Sequence, residues 1–417
     1  TSLRQVLPDA VFSSGDVDVR RCCAKLKLIG ITGSHGKTTT SYLTAAVLAA
    51  GGTRSGVLGA LGYFDGEDWQ NARWTTPPPS VLAHWLDRIA AGGCTHAVME
   101  VSNHALNEQR VAGLDFDVVC VTNVRRDHVD RQRALHGHRM AKARLFDQLL
   151  PEGFAVINVD DPMAESFLAR LDGPVLTVGM HGAAEVTGLP LEQLATEQTF
   201  LLSVGDESIP VRTPLIGNQN IYNCLVAAAV GLAYSIDLPT IVQGLEVVQR
   251  VPGRLERLEC GQPFGVFVDS AHTAGALSRC LETLRAVTSG RLICVFGAGR
   301  GRDKSMPGPM GRAVEVAADL VVVTNDSPGS EPPEDIAAQI VGGFRDRSAA
   351  RVIFDRREAI AWALAQAQLG DCVLIAGRGN RTTHVIGGEQ YEFDDRQAAR
   401  QWLYESLAPE RLYRASA

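Results

Sequence analysis

The chain has 417 residues, 45% of them hydrophobic and 21% charged, and a formal net charge of −7. These values indicate a globular protein of two or three domains and give no reason to expect nucleic acid or an anionic membrane surface as partner. The nine cysteines include no C-x-x-C pair, which argues against a zinc ribbon and a disulfide framework. No signal peptide or span-length apolar run is evident, so we expect a cytoplasmic monomer with small-molecule partners.

The first part of the chain alternates short β-branched runs with helical patterns, which indicates a largely parallel sheet. Its predicted elements are strands over 26–32, 96–102, 116–124 and 154–160 and helices over 41–50, 80–91 and 140–150. Residues 175–215 carry short strands and few helical signals, so we expect a β-rich flap there.

A second cycle of strands and helices follows the Pro252-Gly253 pair, which we interpret as a hinge. Its predicted strands are 265–269, 291–297, 320–326, 350–354 and 371–377. We therefore predict an α/β protein in which a P-loop central domain with a mainly parallel sheet, 25–250, is followed by a Rossmann-like C-terminal α/β domain, 251–417.

The turn between the first strand and the first helix has the composition of a phosphate-binding loop. Its residues are Gly33, Ser34, His35, Gly36, Lys37, Thr38 and Thr39. Glycines let backbone N–H groups approach phosphate oxygens, and a helix N-terminus favours an anion. Lys37 can reach the β- and γ-phosphates, and the Thr38 hydroxyl can ligate Mg²⁺. The loop alone leaves ATPase, GTPase, kinase and ligase open, as well as a glycine-rich turn without a ligand.

The glycine spacing departs from the general phosphate-loop pattern, because Ile31 stands where that pattern has a glycine. The form G-x-T-G-x-x-G-K-T-T-T resembles the Mur ligase family, and within it the branch that adds the third amino acid to UDP-N-acetylmuramoyl-dipeptide. The resemblance continues in the family's order over about residues 25–400. The matching stretches are 75–79, 99–111, 122–130, 140–146, 216–229, 251–259, 268–277, 295–311, 321–333 and 387–400.

This resemblance implies an ATP-dependent amide ligase that activates a carboxylate as an acyl phosphate before an amine attacks. The catalytic residues would be Lys37, Glu100, His128 and Lys142. Glu100 would ligate Mg²⁺, together with Thr38 for one ion and with His128 for the other, and a carboxylate is the hard ligand that this ion prefers. Lys142 stands where the family carries a carbamylated lysine, which would bridge to Mg²⁺.

Four further residues match nucleotide contacts of the family. Asn220 and Asn223 would face the adenine and the nucleotide, Asp269 the ribose, and Arg254 the γ-phosphate. Helix capping or a solvated turn is the alternative for the two asparagines, which lie three residues apart on one helical turn.

Contacts to the muramoyl-peptide are also carried over. Thr75, Thr76, Ser102, Glu108 and Arg110 match residues that touch this substrate, and a guanidinium suits a carboxylate or phosphate. Glu108 stands where glutamine is common in the family.

The acceptor pocket departs most from the family. Diaminopimelate-adding enzymes carry D-N-P-R where this chain has D-S-P-G at 326–329, and their final Glu of G-K-G-H-E is replaced by Arg381. Because Gly329 cannot replace a bidentate Arg clamp, we expect an acceptor other than diaminopimelate. Asp326, Ser327, Arg378 and Arg381 would bind it, and the two arginines would suit an acidic group.

Residues 1–24 resemble the opening of the family's uridine-binding N-terminal domain, so we interpret them as a remnant of it. The first hypothesis is a ligase of peptidoglycan synthesis with ATP and Mg²⁺ as cofactors. A diverged paralogue that joins another carboxylate and amine, as folylpolyglutamate synthetases do, is the alternative. A third hypothesis is an ATP-binding regulatory protein without ligase activity.

Overall fold

The computed structural model describes residues 25–124, 142–299 and 305–407. Residues 1–24 and His128 therefore lie outside the described residues. The chain divides into two compact units. Of the described residues, the first unit includes those up to Leu189, with Leu201–Val211 and Gln219–Val248. The second unit includes the remaining segments and the described residues from Gln249 onwards.

The first unit is organised around a largely parallel sheet. Its strands, with β9 to β11 shared with the second unit, are β1 Lys27–Thr32, β2 Ser55–Gly59, β3 Gly62–Phe64, β4 Trp69–Gln70, β5 His96–Glu100, β6 Phe116–Val121, β7 Leu149–Asn158, β8 Val175–Gly179, β9 Val186–Gln193, β10 Gln198–Val204 and β11 Glu207–Thr213. The helices are α1 Lys37–Ala50, α2 Pro79–Ala91, α3 Asn103–Asn107, α4 Ala164–Leu168, α5 Asn218–Ala233 and α6 Leu238–Glu246. The four strands β8 to β11 confirm the predicted β-rich segment over 175–215.

Strand order explains why the loop after β1 lies at the centre of this sheet. The order is β11-β10-β9-β8-β7-β6-β1-β5-β2-β3-β4, and β1 pairs in parallel with β5 and β6. Every residue of β1 after Lys27 is buried, as expected for a parallel strand covered on both faces. The register Ile31↔Glu100 and Thr32↔Val121 brings the carboxyl ends of three strands together.

The predicted helix over 140–150 is wrong in its second half. Phe146–Gln148 forms a 3₁₀ turn, and β7 begins at Leu149, opposite Phe116 of β6. The Leu and Phe spacing of this stretch has a helical period, but Pro151 disfavours a helical conformation at the residue before it. Pairing with β6 therefore determines the structure, while residues 140 and 141 lie outside the described range.

The second unit has a six-stranded sheet with helices on both faces. Its strands are β12 Glu256–Arg257, β13 Gly265–Asp269, β14 Leu292–Phe296, β15 Leu320–Val323, β16 Ala350–Val352 and β17 Cys372–Ala376, with a hairpin of β18 Thr383–Ile386 and β19 Glu389–Glu392. Its helices are α7 Ala274–Val287, α8 Pro307–Ala317, α9 Pro333–Gly342, α10 Arg356–Gln366 and α11 Asp395–Leu407.

Alternation along the strands divides the core of this unit into two layers. The order is β12-β13-β17-β14-β15-β16, and only β12 is antiparallel to its neighbour. Phe267 packs in the cluster that contains α7, α8 and α9, whereas Val266 and Val268 pack in the cluster with α10 and α11. The predicted α/β class with mainly parallel sheets is therefore confirmed. Within the described ranges, no helix is both long and apolar enough to span a bilayer.

Candidate active site

The loop between β1 and α1 is held by glycine geometry. Gly33 and Gly36 have φ of 145° and 86°, values that favour glycine. Gly36 is the N-cap of α1 and supplies no side-chain hydrogen bond to the first turn. Lys37 Nζ donates to the carbonyl of Gly33 at 2.8 Å and to that of Ser34 at 3.4 Å. The loop thus presents a helix N-terminus and a lysine at one point, which is the arrangement that suits a phosphate.

Two residues after β6 hold this loop from the side. The Ser34 amide donates to the Asn123 carbonyl at 2.9 Å, and the His35 amide donates to Asn123 Oδ1 at 3.0 Å. Thr122 Oγ1 donates to the His35 carbonyl at 2.6 Å. A Cβ on Gly33 would lie 2.0 Å from that hydroxyl oxygen. Neither Thr122 nor Asn123 was given a role from the sequence, although their place at the end of the strand beside β1 was the available signal.

Glu100 and Thr38 meet at the start of α1. Thr38 Oγ1 donates to Glu100 Oε2 at 3.0 Å, and the Ala60 amide donates to Oε1 at 2.8 Å. Glu100 is only 2% exposed, and a Cβ on Gly59 would lie 2.2 Å from its Oε1. The two predicted metal ligands are therefore adjacent and tightly packed.

The donors of this site fit Mg²⁺ better than a metal that needs an all-protein cage. Among the described residues there is no cluster of three or more His, Cys, Asp or Glu side chains that could hold a metal ion. Thr38 and Glu100 offer two hard oxygens, and Mg²⁺ is commonly held by one or two protein oxygens with water and phosphate completing its shell.

Lys142 is a buried lysine beside the same loop. Lys142 is 1% exposed, and its Nζ lies 3.5 Å from Ser34 Oγ. Burial, together with the charge of Lys37, lowers the pKa of Lys142 to about 8, against a smaller opposing effect of Asp161. A part of this amine is therefore neutral near pH 8, the form that acts as a nucleophile.

The two asparagines predicted to face the nucleotide are buried on α5 rather than solvated. Asn223 Nδ2 donates to Asn220 Oδ1 at 3.0 Å, and Thr40 Oγ1 donates to Asn223 Oδ1 at 3.2 Å. A Cβ on Gly36 would lie 2.3 Å from Asn223 Oδ1. The structure thus brings Asn223 against Gly36, the last loop residue before α1.

Three residues predicted to touch the carboxylate substrate are linked beside Glu100. Thr76 Oγ1 donates to the Glu100 carbonyl at 2.8 Å and accepts from the Ser102 amide at 3.0 Å. Arg110 NH1 donates to the Thr76 carbonyl at 2.7 Å. Thr75 precedes this group and is half-buried.

Glu108 is a partner of Arg110 in this structure. The Arg110 Nε and NH2 atoms both lie 2.7 Å from Glu108 Oε2. The intervening Gln109 has a left-handed φ of 54°, which lets two residues so close in sequence face each other. The guanidinium is thereby oriented at the edge of the group that contains Thr76 and Ser102.

In the second unit, two carboxylates hold the backbone around Arg254. The Leu255 amide donates to Asp269 Oδ2 at 2.6 Å, and the Gly253 amide donates to Glu256 Oε2 at 2.8 Å. Burial raises the pKa of Asp269, although Arg254 opposes this. Asp269 therefore fixes the conformation of the loop that carries Arg254, a function that its match to a ribose contact did not indicate.

Asp326 and Arg378, which were assigned to the acceptor from the sequence, are buried in this structure. Both side chains are 0% exposed, and Arg378 NH1 lies 3.7 Å from Asp326 Oδ1. Arg356 binds Asp395 through two contacts, at 2.7 and 2.8 Å, and Arg378 Nε lies 3.9 Å from Asp395 Oδ1. Burial and the neighbouring Arg356 lower the pKa of Arg378. Because the four charges compensate one another beneath the surface, the Arg378 guanidinium is not presented to solvent.

Ser327 and Arg381 lie closer to the surface. Ser327 is half-buried, and its Oγ accepts from Arg378 NH1 at 2.7 Å. Arg381 is exposed, and its amide donates to the Arg378 carbonyl at 3.1 Å. Arg356 and Asp395 were missed from the sequence, since an isolated Arg and Asp 39 positions apart give no local signal.

Two family models match this chain. The Mur ligase middle domain matches residues 31–231, and the domain described as "Mur ligase, glutamate ligase domain" matches residues 253–379. The UDP-N-acetylmuramoyl-L-alanyl-D-glutamate–2,6-diaminopimelate ligase of Syntrophomonas wolfei is 37% identical over 91% of this chain and 78% of its own length. The chain belongs to the Mur ligase family. It is an enzyme of the ligase class, and the family prediction made from the motifs is confirmed.

Solved structures show the same architecture. A UDP-N-acetylmuramoyl-L-alanyl-D-glutamate–2,6-diaminopimelate ligase matches with a TM-score of 0.65 and 32% identity, over 91% of this chain and 79% of its own. The folylpolyglutamate synthase of Mycobacterium tuberculosis, solved with ADP, matches with a TM-score of 0.68 and 20% identity, over 86% of this chain and 89% of its own. The second likeness concerns the fold alone.

Proposed function

We propose that this Mur ligase joins a carboxylate of a UDP-N-acetylmuramoyl-dipeptide-like substrate to the amino group of an amino acid in peptidoglycan synthesis, with ATP and Mg²⁺ as cofactors. The contact of Thr38 Oγ1 with Glu100 Oε2 supports the proposal most. It places a hydroxyl and a buried carboxylate at a helix N-terminus beside Lys37, which is what a metal-bound triphosphate requires. The names of the related diaminopimelate ligases agree with the class of carboxylate.

ATP, when bound, supplies the phosphoryl group that turns the substrate carboxylate into an acyl phosphate. The backbone from Gly33 to Gly36 would receive phosphate oxygens at the N-terminus of α1, and Lys37 would neutralise their charge. Thr38 and Glu100 would hold Mg²⁺, and His128 would contribute to a second ion. Because both reactants are anionic, the main tasks of these residues are positioning and charge neutralisation.

Lys142 is proposed to act as a carbamate. The ammonium first loses one proton to water. Its neutral Nζ then attacks the carbon of CO₂: an N–C bond forms, one C–O π bond breaks as its electron pair moves to oxygen, and a second proton passes from nitrogen to water. The ammonium cation thereby becomes a carbamate anion. The pKa of about 8 makes the neutral amine accessible near physiological pH. The product would relieve the repulsion between Lys142 and Lys37, whose charge contributes to that low pKa.

The remaining predicted contacts keep their proposed roles. Asn220 and Asn223 would contact the nucleotide, and Arg254 would neutralise the γ-phosphate from a loop fixed by Asp269. Thr75, Thr76, Ser102 and Arg110 would bind the peptide carboxylate, with Glu108 orienting Arg110, whose Nε lies 2.7 Å from the Glu108 carboxylate.

The acceptor is proposed to be an amino acid other than diaminopimelate. Gly329 occupies the position of the family's acceptor-binding arginine, and Arg378 is buried. Of the two arginines predicted to favour an acidic group, Arg381 alone lies at the surface, so a preference for acidic acceptors depends on it. The altered loop also supports the second candidate, a family member that joins a different carboxylate and amine.

The test is phosphate release from ATP together with mass analysis of the product. Donors would include UDP-N-acetylmuramoyl-L-alanyl-D-glutamate and a folate, and acceptors diaminopimelate, lysine and glutamate. Turnover only with the muramoyl donor supports the first function, and turnover only with another donor supports the second. Lys37→Met serves as the inactive control and Lys25→Met, at an exposed position, as its matched control. ATP binding without turnover on any pair would contradict both functions and favour a regulatory protein.

A further inference from the structure

The loop 326–329 in the second unit holds Ser327 in a conformation that a serine does not favour. Ser327 has a φ of 49°, a region in which a non-glycine residue is uncommon unless its surroundings hold it. Gly329, two residues further on, has a φ of 70°. The loop follows β15, at the carboxyl end of a parallel sheet, where ligands of such sheets bind.

Arg378 is the side chain that holds Ser327. Its NH1 donates to Ser327 Oγ at 2.7 Å, and its NH2 donates to the Thr383 carbonyl at 2.5 Å. One guanidinium therefore connects the loop 326–329 to the first residue of β18. This is a use for which the planar fork of arginine is suited and the single ammonium of lysine is not.

The same loop is joined to the β18–β19 hairpin by its backbone. The Val385 amide lies 3.4 Å from Ser327 Oγ, and the Gly329 amide donates to the Val385 carbonyl at 3.3 Å. Gly329 also forms a parallel bridge with Ile386. Loop and hairpin therefore form one connected surface.

The charges beneath this surface keep the Arg378 guanidinium in place. Arg356 and Asp395 are bound to each other by two contacts, and Asp326 and Asp395 both face Arg378, at 3.7 and 3.9 Å. Two cations and two anions cancel, so the network attracts no ligand by net charge. Its effect is to hold a geometry rather than to bind an anion.

We propose that Arg378 is a positioning residue for the amine acceptor, which fixes Ser327 in its left-handed conformation and joins the loop 326–329 to the β18–β19 hairpin. The acceptor amino acid is then recognised by the preformed backbone surface of this loop. In this chain, Gly329 stands where the D-N-P-R motif of the family has its arginine. This inference rests on the proposed ligase function, because it assigns the loop to the acceptor of that reaction.

The experiment compares Ser327→Ala and Ser327→Gly with the unchanged protein, using the acceptor that gives turnover in the phosphate-release panel. Both variants remove the hydroxyl that Arg378 binds, but only glycine adopts the left-handed backbone conformation without steric strain. A hydrogen bond to a charged group contributes enough to affinity that its loss should raise the acceptor KM about tenfold. The KM for ATP should stay within about twofold, and Ser327→Ala should raise the acceptor KM at least as much as Ser327→Gly, because alanine keeps the strain of the left-handed backbone.

Arg378→Lys and Ser330→Ala complete the set. The lysine variant keeps the charge but loses the fork, so we expect a raised acceptor KM; thermal unfolding checks that the protein is folded. Ser330 is exposed and lies just beyond the loop, so Ser330→Ala should leave every constant unchanged. Turnover with an unchanged acceptor KM in both Ser327 variants overturns this inference and leaves the ligase function intact. Absence of turnover by the unchanged protein with every acceptor overturns both.

Discussion

The phosphate loop of the first unit and the acceptor loop of the second are built in opposite ways. Both follow a strand of a parallel sheet. In the first, Gly33 and Gly36 take positive φ angles at little cost. In the second, Ser327 takes a positive φ that is held by Arg378, which depends in turn on Asp395 and Arg356. The conformation of a loop that depends on its own glycines can be predicted from the sequence. The conformation of a loop held by buried charges from distant positions cannot.

Breaking the buried network should have the largest effect. Asp395→Asn leaves the buried Arg356 without its anionic partner, and we expect a loss of about 3–5 kcal/mol in the free energy of unfolding. Urea unfolding measures this change. Arg54→Ala, which removes an exposed partner of Glu67, should cost about 1 kcal/mol or less. Equal effects of the two variants would show that the network does not support the second unit.

Removing the lysine of the phosphate loop should affect catalysis rather than folding. Lys37→Met is expected to lower kcat about 10²–10³-fold, the usual result of losing a group that stabilises developing charge. The Lys37 ammonium contacts loop carbonyls, so the unfolding midpoint should change little. Phosphate release measures the activity, with Lys25→Met as control. A variant with nearly full activity would contradict the role of this loop.

Low pH should destabilise both units, because His96 in the first and His384 in the second are buried in the neutral form. Burial lowers the pKa of His96 to about 4, assisted by Lys27, and that of His384 to about 4, assisted by Arg378. The unfolded state binds more protons, so stability is complete above pH 6.5 and decreases as the pH falls towards 4. We expect roughly 2 kcal/mol per histidine by pH 5.

Urea titrations at several pH values check this dependence in the wild type and in the variants His96→Gln and His384→Gln. Each substitution should flatten the decline below pH 6.5, since an amide does not titrate there. An unchanged pH dependence in either variant would show that its histidine is not buried in the neutral form.

The smallest change in the free energy of unfolding is expected at Lys142, and it should be a gain of stability. In CO₂-free buffer, where the amine is not carbamylated, the folded pKa of Lys142 is about 8. The buried ammonium then destabilises the protein below that pH, and the penalty disappears as the pH rises to about 10.5, the ordinary value. Lys142→Met should therefore raise the free energy of unfolding by about 1–2 kcal/mol at pH 7 while abolishing activity. Thermal unfolding at pH 7 and pH 10 tests this, and an equal gain at both would contradict it.

Most elements could be predicted because they repeat a local pattern. The strand over 265–269 was predicted with the observed bounds, and the helix over 80–91 lacked only Pro79 at its start. The error over 140–150 arose where a helical spacing of apolar residues is overridden by pairing with β6. Tertiary contacts decide such short ambiguous stretches.

The candidate site also contains some features that follow from local sequence and others that only tertiary contacts decide. Gly36, Lys37 and Thr38 are adjacent in sequence, and Glu100 ends a predicted strand, so their proximity follows from the register of β1 and β5. Arg378 looked from sequence like a surface cation for an acidic acceptor. Only the folded chain shows that Asp326 and Asp395 lie against it, at 3.7 and 3.9 Å.

By itself, the sequence determined the alternation of strands and helices, the phosphate loop and the family, because each depends on residues close together along the chain. The tertiary structure decided which charges are buried, how low the pKa of Lys142 lies and which way Ser327 faces. Those properties depend on desolvation and on partners tens of residues away, such as Asn123 beside His35 or Asp395 beside Arg356. Neither composition nor spacing encodes such partners locally.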